Sequence, residues 1–364
     1  MAQLKTVVVD YIALKTSVEK LFRCWGFSDK ESADITDVLV RSNLSGISSH
    51  GIQRLSIYET LVATGNVQVK NHPKIVTETP VMAVVHGNQA MGQLVALFAM
   101  EQAIKKAKKN GIGLVVVRDS NHFGIAGYYA ELAARENLLG ISMTNSIAVM
   151  PATFGVVPLI GTNPVAFAFP GEPYPFLYDA SSTVVSLGKI EVAEKSGQVL
   201  PAPWGLDQCG NPSVQPSEIL EDFGKRNIGG VLPLGGAGEE NGGYKGYGQG
   251  LIVEILTAIL SGGTTSSEIS SLETSGACHF FLAIDPGLFG SVESMKERLQ
   301  HYFARLRSSN LTDQKQRVYI HGEKEFEKRE RYLREGIPIE KEIWEEFEKL
   351  CGKNRVEAPK VGDK

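Results

Sequence analysis

The chain has 364 residues and a net charge of −4 at pH 7. This charge gives no electrostatic reason to expect a nucleic acid or an anionic membrane as partner, so a small molecule is the favoured ligand. A hydrophobic content of 43% and a charged content of 21% are ordinary for a globular protein, and the length allows two domains.

The first 65 residues or so predict a small helical unit with no strand of its own. Apolar residues at helical spacing predict a helix over residues 11–25. Ser28 with Glu31 three residues later predicts a capping box that opens a second helix, which ends near Leu44. A third helix is predicted from about His50 to Thr64.

From Lys74 the pattern changes to alternating strands and helices. It predicts strands at 74–79 and 81–87, a helix at 91–109, a strand at 113–118, a helix at 126–137, and strands near 139–144 and 164–169. A long Gly/Pro-rich tract at 196–243 follows, then a helix at about 247–261, a strand at 279–285 and a helix at 291–307. The charged tail predicts helices that pack back on the N-terminal ones.

Together these elements predict an α/β fold with a mixed, largely antiparallel sheet flanked by helices, plus a helical domain built from both chain termini. The expected boundaries are 73–307 for the α/β domain and 1–72 with 308–364 for the helical domain. The four cysteines lie far apart without zinc spacing, so we expect free thiols and no metal site. We find no signal peptide and no unbroken membrane span, so the protein is expected in the cytoplasm.

The usual nucleotide-binding fingerprints are absent. Gly111-Ile-Gly113 runs into a strand, whereas the Rossmann motif needs a strand, then glycines, then a helix. No Gly-Lys pair has the Ser/Thr and the earlier glycine of a P-loop. The segment Leu234–Gly250 is different, because its glycines surround Lys245 just before a predicted helix. That arrangement is typical of an anion site, although a flexible surface loop explains it equally well.

The stretch SSHGIQR, residues 48–54, places His50 and Arg54 four residues apart. On a helix both would share one face, with a proton-exchanging imidazole beside a guanidinium that can grip a carboxylate. This pair suits an enzyme acting on a 2-oxo or 2-hydroxy acid. The alternative is a capping histidine beside a surface arginine.

Two further residues follow predicted strands. His122 lies in a strand-to-helix loop, where α/β proteins often bind ligands, but an ordinary loop histidine fits as well. Asp179 ends an apolar run, where it could cap a helix or hold a substrate or cofactor hydroxyl. His72, His86 and His301 are expected to be structural.

Several motifs occur in a fixed order along nearly the whole chain. They are Ser49-His50-Gly51 with Arg54, Asn121-His122-Phe123-Gly124 with Gly127-Tyr128-Tyr129, Gly161-Thr162-Asn163-Pro164, Asp179, Gly188-Lys189, Pro233-Leu234-Gly235-Gly236, Gly243-Tyr244-Lys245-Gly246-Tyr247-Gly248 and Arg334-Glu335-Gly336-Ile337-Pro338. Their order and spacing resemble the malate/L-lactate dehydrogenase family, which is distinct from the Rossmann-fold enzymes. That family includes ureidoglycolate dehydrogenase, diketogulonate reductase, sulfolactate dehydrogenase and piperideine-carboxylate reductase.

The resemblance implies a homodimer that binds NAD or NADP, with NAD preferred, on a non-Rossmann fold. It implies that His50 is the general acid/base, that Arg54 clamps the carboxylate, and that Ser49 lies beside the nicotinamide. His122 becomes a second polar group at the reacting centre, and some relatives use this position as the proton carrier. The implied cofactor contacts are Thr144, Asn145, Ser146, Asp179, Ala180, Ser181, Lys245, Gly246, Gly322 and Glu323.

The chain departs from the family pattern at Asp179–Thr183, which is DASST, and at His321-Gly322, where a proline-glycine pair is common. The implied reaction is hydride transfer between nicotinamide and a small 2-oxo/2-hydroxy acid, most simply malate and oxaloacetate. The alternatives are a ureidoglycolate, lactate or cyclic-imine enzyme of the same family, or a non-catalytic metabolite-binding protein.

Overall fold

The structure is a computed structural model that describes residues 6–220, 228–269, 276–313 and 315–363. Its strands are β1 (Thr6–Val9), β2 (Lys74–Glu78), β3 (Met82–His86), β4 (Ile112–Ser120), β5 (Leu139–Thr144), β6 (Met150–Pro151), β7 (Pro158–Ile160), β8 (Val165–Phe169), β9 (Phe176–Ala180), β10 (Gly205–Leu206), β11 (Pro212–Ser213), β12 (Gly230–Val231), β13 (Ala277–Ile284), β14 (Ile337–Glu340) and β15 (Val361–Asp363). Its α-helices are α1 (Tyr11–Cys24), α2 (Asp29–Leu44), α3 (Leu55–Ala63), α4 (Gly92–Asn110), α5 (Ala126–Arg135), α6 (Leu187–Lys195), α7 (Pro216–Leu220), α8 (Gly243–Glu254), α9 (Val292–Arg307), α10 (Glu323–Glu335) and α11 (Lys341–Lys353).

A seven-stranded sheet in the order β2-β3-β4-β13-β5-β8-β9 forms the centre of the molecule. Strands β3 and β4 are parallel, and the other neighbouring pairs are antiparallel. Alternate residues of a strand point to opposite faces, so Val115 and Phe281 pack under α4 and α5 while Val116 and Phe280 pack under α8. The predicted mixed, largely antiparallel sheet flanked by helices is confirmed.

The two ends of the chain meet in a second core. Strand β1 lies between β14 and β15 and pairs antiparallel with both. The expectation that the N-terminal unit has no strand was wrong, because the partners of this short β-branched run lie more than 300 residues away. Phe22, Leu39, Tyr58, Trp344 and Phe347 fill this core.

A third core lies under the Gly/Pro-rich tract. Strands β10, β11 and β12 form a small antiparallel sheet that packs with α6 and α7 around Ile190, Ile219 and Val231. The tract therefore contributes apolar residues to a core of its own. Its residues 221–227 lie outside the described part of the chain. Within the described residues, no helix is long and apolar enough to cross a membrane.

Two predicted helix starts were wrong in ways that matter for the site. Residues Ser48–His50 and Ile52–Arg54 form two 3₁₀ turns, and α3 begins only at Leu55. Helix α8 begins at Gly243 rather than near Tyr247, so Lys245 lies in its first turn. The capping box of Ser28 and Glu31 at the start of α2 is confirmed.

Candidate active site

A cleft of about 620 Å³ opens where the terminal core meets the central sheet. The 3₁₀ turns contribute His50 and Arg54, α3 contributes Tyr58, and the loop after β4 contributes His122. Ile57, Ser146, Ile147, Val149, Thr162, Ser186, Leu187 and Gly188 complete the wall. Three residues that the sequence singled out for proton exchange and carboxylate binding therefore share one cleft.

His50 and His122 face each other with their ring centroids 5.6 Å apart and an interplanar angle of 25°. Burial, followed by the charge of Arg54, lowers the pKa of His50 to about 3. Burial also lowers the pKa of His122, with further contributions from His50 and Arg54. Both imidazoles are therefore neutral at pH 7. The causes are burial and a neighbouring guanidinium.

Arg54 lines the cleft and is held by contacts with Ser49 and Glu191. Its Nε donates to the carbonyl oxygen of Ser49 at 2.6 Å, and its terminal nitrogen lies 3.6 Å from a carboxylate oxygen of Glu191. A Cβ at Gly188 would lie 2.8 Å from that nitrogen, so only glycine leaves the guanidinium in place. Ser49 also contacts Nδ1 of His50 through its hydroxyl at 3.0 Å. Ser49 thus contacts both side chains, His50 through its hydroxyl and Arg54 through its carbonyl oxygen.

A second cavity of about 580 Å³ adjoins the first and shares His50, His122, Ser146 and Thr162 with it. Its wall combines flat apolar surface with hydroxyl and amide groups, supplied by Phe123, Gly124, Thr144, Asn145, Ile147, Pro164, Ile269 and Ala277. The structure therefore brings the predicted segment Thr144, Asn145 and Ser146 to the two histidines.

Three of the remaining predicted cofactor residues lie at β9 and at the start of α10. Asp179 and Gly322 line a separate cavity of about 470 Å³, where the Asp179 carboxylate accepts from the amide of Gly127 at 2.7 Å. Glu323 instead pairs with Arg307 and accepts from the amide of Ile320.

The other four predicted cofactor residues, Ala180, Ser181, Lys245 and Gly246, line none of these three cavities. Ala180 pairs with Val165 in the sheet. Ser181 is followed by Ser182, whose amide donates to the carbonyl of Thr162 at 2.8 Å. Gly246 packs against the main chain of the same segment. Lys245 is exposed in the first turn of α8 and has no salt bridge among the described residues. The first turn of α8 combines the ammonium group of Lys245 with the partial positive charge of a helix N-terminus.

Comparison with known proteins gives the family. The family model for malate/L-lactate dehydrogenase matches residues 9–348. The chain belongs to the malate/L-lactate dehydrogenase family. A malate dehydrogenase of Pyrococcus horikoshii is 41% identical over 336 residues, which is 91% of each chain. An L-sulfolactate dehydrogenase of Methanocaldococcus jannaschii is 33% identical over 93% of this chain and 94% of its own.

A solved structure shows the same fold. Malate dehydrogenase of Entamoeba histolytica superposes with a TM-score of 0.94 and 31% identity, over 98% of this chain and 100% of that chain. The predicted family and enzyme class are confirmed, and the chain is a dehydrogenase. The family also explains why the Rossmann and P-loop fingerprints are absent from a nicotinamide-dependent enzyme.

Three residues of this dehydrogenase were missed from the sequence. Tyr58 contacts Nδ1 of His122 at 2.7 Å, and Gln93 donates to the Tyr58 hydroxyl at 2.9 Å. Tyr58 follows Arg54 by four residues, and this helical spacing could have indicated that Tyr58 belongs to the site. Nothing in the sequence near Gln93 indicates that it does. His279 stands beside Cys278 in an apolar run, and nothing around it in the sequence marks it.

His279 is fully buried beneath the loop that carries His122. Its ring stacks on Phe123 at 4.6 Å, and its nitrogens contact the hydroxyls of Thr144 and Ser120, each at 2.8 Å. It therefore ties the end of β4 to the end of β5, one strand on each side of β13. Burial lowers the pKa of His279 to about 3.

We expect His279→Asn to weaken the pH dependence of unfolding. Between pH 6.5 and about 3 the unfolded state binds a proton at His279 and the folded state does not, so the stabilisation is complete above pH 6.5 and is lost as the pH falls. One such proton changes the free energy of unfolding by about 1.4 kcal/mol per pH unit. Urea unfolding from pH 7 to 4.5 should show a slope smaller by about this amount. Exposed His301→Asn is the control, and equal slopes in all three proteins would contradict the assignment.

Proposed function

We propose that the enzyme transfers hydride between a nicotinamide cofactor and C2 of a small 2-oxo/2-hydroxy acid. The observation that carries this proposal is the convergence of His50, His122 and Arg54 on one cleft. Two neutral imidazoles can handle the proton and the oxygen of a carbonyl–alcohol pair, and a guanidinium can fix the neighbouring carboxylate. Malate and oxaloacetate are the proposed substrates, because two relatives that are 41% identical are named malate dehydrogenases.

The second cavity fits a nicotinamide ring. Ile147 and Pro164 offer apolar contacts to the ring, and Thr144 and Ser146 supply polar atoms for its amide. When bound, the cofactor supplies hydride in reduction and accepts it in oxidation. We propose that the rest of the cofactor contacts a further set of residues, namely Asp179, Ala180, Ser181, Lys245, Gly246, Gly322 and Glu323.

The residues of the chain move the proton. In oxidation, neutral His50 accepts the proton of the 2-hydroxyl group. In reduction, a substrate carboxylate on Arg54 compensates the charge that lowers the pKa of His50, which favours the imidazolium that donates to the forming alkoxide. His122 donates a hydrogen bond to the carbonyl oxygen where negative charge develops. Arg54 orients the acid with two parallel hydrogen bonds.

NAD is the proposed cofactor in preference to NADP. The cavity at Gly322 contains the carboxyl groups of Asp179 and Glu325, which suit a free ribose hydroxyl better than a phosphate. Its arginine, Arg329, is paired with the carboxylate of Glu131. An E. coli relative at 29% identity is a ureidoglycolate dehydrogenase named for NAD(+). A homodimer in the cytoplasm stays a prediction from the resemblance and the sequence.

Cofactor oxidation followed by absorbance tests the proposal. We expect turnover of NADH with oxaloacetate, slower turnover with other 2-oxo acids, and a lower kcat/KM with NADPH. Pyruvate, glyoxylate and a cyclic imine carboxylate complete the panel, so a preference for one of them would replace malate by a relative's substrate. Binding of NADH without turnover across the panel would contradict the enzyme proposal and indicate a metabolite-binding protein.

A further inference from the structure

Gln93, Tyr58 and His122 form a row of hydrogen bonds that ends at the cleft. The side-chain nitrogen of Gln93 donates to the Tyr58 hydroxyl oxygen at 2.9 Å, and that oxygen lies 2.7 Å from Nδ1 of His122. Gln93 and Tyr58 are both fully buried. Water therefore cannot replace either partner, and the direction of each hydrogen bond is fixed by which group owns a proton.

With the Gln93 amide nitrogen facing Tyr58, as in the structure, the Tyr58 proton has one acceptor among the described residues. A phenol carries a single O–H, and its oxygen already accepts from Gln93. Among the described residues, Nδ1 of His122 is the acceptor within reach of that hydroxyl. Nδ1 must then be unprotonated, and a neutral imidazole with a bare Nδ1 carries its proton on Nε2. The other ring nitrogen thus becomes a hydrogen-bond donor.

We propose that Tyr58 and Gln93 are positioning residues that hold His122 as its Nε2–H tautomer, a hydrogen-bond donor for the substrate carbonyl oxygen. This inference rests on the proposed function and deepens it, because it assigns different tasks to two otherwise similar histidines. His122 has a buried partner that dictates its tautomer, whereas His50 contacts the hydroxyl of Ser49, which can donate or accept. His50 is therefore the ring that remains able to exchange a proton.

The orientation of the Gln93 amide determines which group donates in each hydrogen bond of the row. Its side-chain oxygen is buried and has no hydrogen-bond partner within the described structure. With the amide turned round, that oxygen would accept the phenol proton, Nδ1 of His122 would carry the ring proton, and Nε2 would be bare. His122 would then be a base instead of a donor.

The backbone around Gln93 is tightly fitted. It is the second residue of α4, and a Cβ on the preceding Gly92 would lie 2.3 Å from the carbonyl oxygens of Asn121 and His122. Glycine thus lets the start of α4 contact the loop that it positions. The N-terminal end of a helix also disfavours an imidazolium nearby, which agrees with a neutral His122.

Nitrogen-15 NMR of the protein labelled at histidine tests the tautomer directly, without any turnover. The two ring signals of His122 are assigned by their loss in His122→Gln. We expect a protonated Nε2 and a bare Nδ1 in the wild type, and an exchange mixture of both tautomers in Tyr58→Phe. A protonated Nδ1 in the wild type would overturn the proposal.

Kinetics test whether Tyr58 acts through His122. Tyr58→Phe should lower kcat for oxaloacetate reduction about 10- to 100-fold with KM changed less than about twofold, a smaller effect than loss of the donor itself. Gln93→Met, which removes the amide donor at similar volume, should act in the same direction. In a His122→Gln background both substitutions should have little further effect.

Tyr128→Phe is the matched control, because it removes a phenol that contacts Asp37 and not His122. It should leave both kcat and the His122 signals unchanged. An equal loss from Tyr58→Phe with and without His122 would overturn the proposal, and should Tyr58→Phe not fold, Gln93→Met and the wild-type spectrum decide. Absence of turnover in the wild type would contradict the proposed function alone, since the tautomer can still be measured.

Discussion

Replacing His50 by glutamine is expected to lower kcat for malate oxidation by about 10²- to 10⁴-fold, the usual contribution of a general acid/base. The side chain that accepts the hydroxyl proton is lost, while Arg54 still binds the acid, so KM should change little. Steady-state rates of NAD reduction with malate measure the effect. His122→Gln should also lower kcat, because it removes a hydrogen-bond donor at the oxygen, a change typically worth about 10²- to 10³-fold.

The pH profiles of the two variants separate their tasks. The pKa of His50 is lowered to about 3, so free enzyme near pH 7 already holds the neutral base and kcat/KM for oxidation should be flat from pH 6 to 8. Reduction needs the imidazolium, so its kcat/KM should rise about tenfold for each pH unit of acidification. We expect His50→Gln to abolish this rise and His122→Gln to retain it.

His301→Gln is the control for the loss of a histidine, because His301 is exposed on α9 and contacts no part of the cleft. Its kcat should equal that of the wild type. If His122→Gln abolished the acid rise and His50→Gln kept it, the two roles would have to be exchanged.

Local patterns in the sequence were sufficient for most of the scaffold. The apolar runs of β4 and β13 and the capping box at Ser28 each depend on residues close in the chain, so they could be predicted. Strand β1 could not, because its pairing with β14 and β15 depends on contacts between the two chain ends. The start of α8 was missed because its first turn consists largely of glycines, which locally disfavour a helix.

The sequence paired His50 with Arg54 for a reason that the structure does not support. His50 and Arg54 were paired by helical spacing, yet they lie on two consecutive 3₁₀ turns. The side chain of Asn43 accepts from the amide of Ile52 at 3.0 Å and holds this bend from α2. The pairing is therefore made by tertiary contact. Gln93 shows the limit of local reasoning, since its role exists only through Tyr58, which lies 35 residues earlier.

Arg54→Gln is expected to raise KM for malate and oxaloacetate and to lower kcat/KM by about 10- to 200-fold. A hydrogen bond to a charged group contributes about 1.5–3 kcal/mol, and the neutral amide cannot reproduce the guanidinium fork. Binding of NADH, followed by its fluorescence, should be unchanged, because Arg54 lines the first cavity and not the second. Arg54→Lys should be only partly active, since it keeps the charge and loses the geometry.

Glu191→Gln is expected to change the KM for the acid in the opposite direction to Arg54→Gln. The Glu191 carboxylate lies 3.6 Å from the Arg54 guanidinium and competes with a substrate carboxylate for its charge. Removing that negative charge should lower KM for the acid, whereas removing the positive charge of Arg54 should raise it. Both changes alter a half-buried polar residue by one charge, so a general loss of folding would move the two KM values in the same direction. If Arg54→Gln instead lowered kcat with KM unchanged, the arginine would act on the reacting centre and the carboxylate clamp would have to be sought elsewhere.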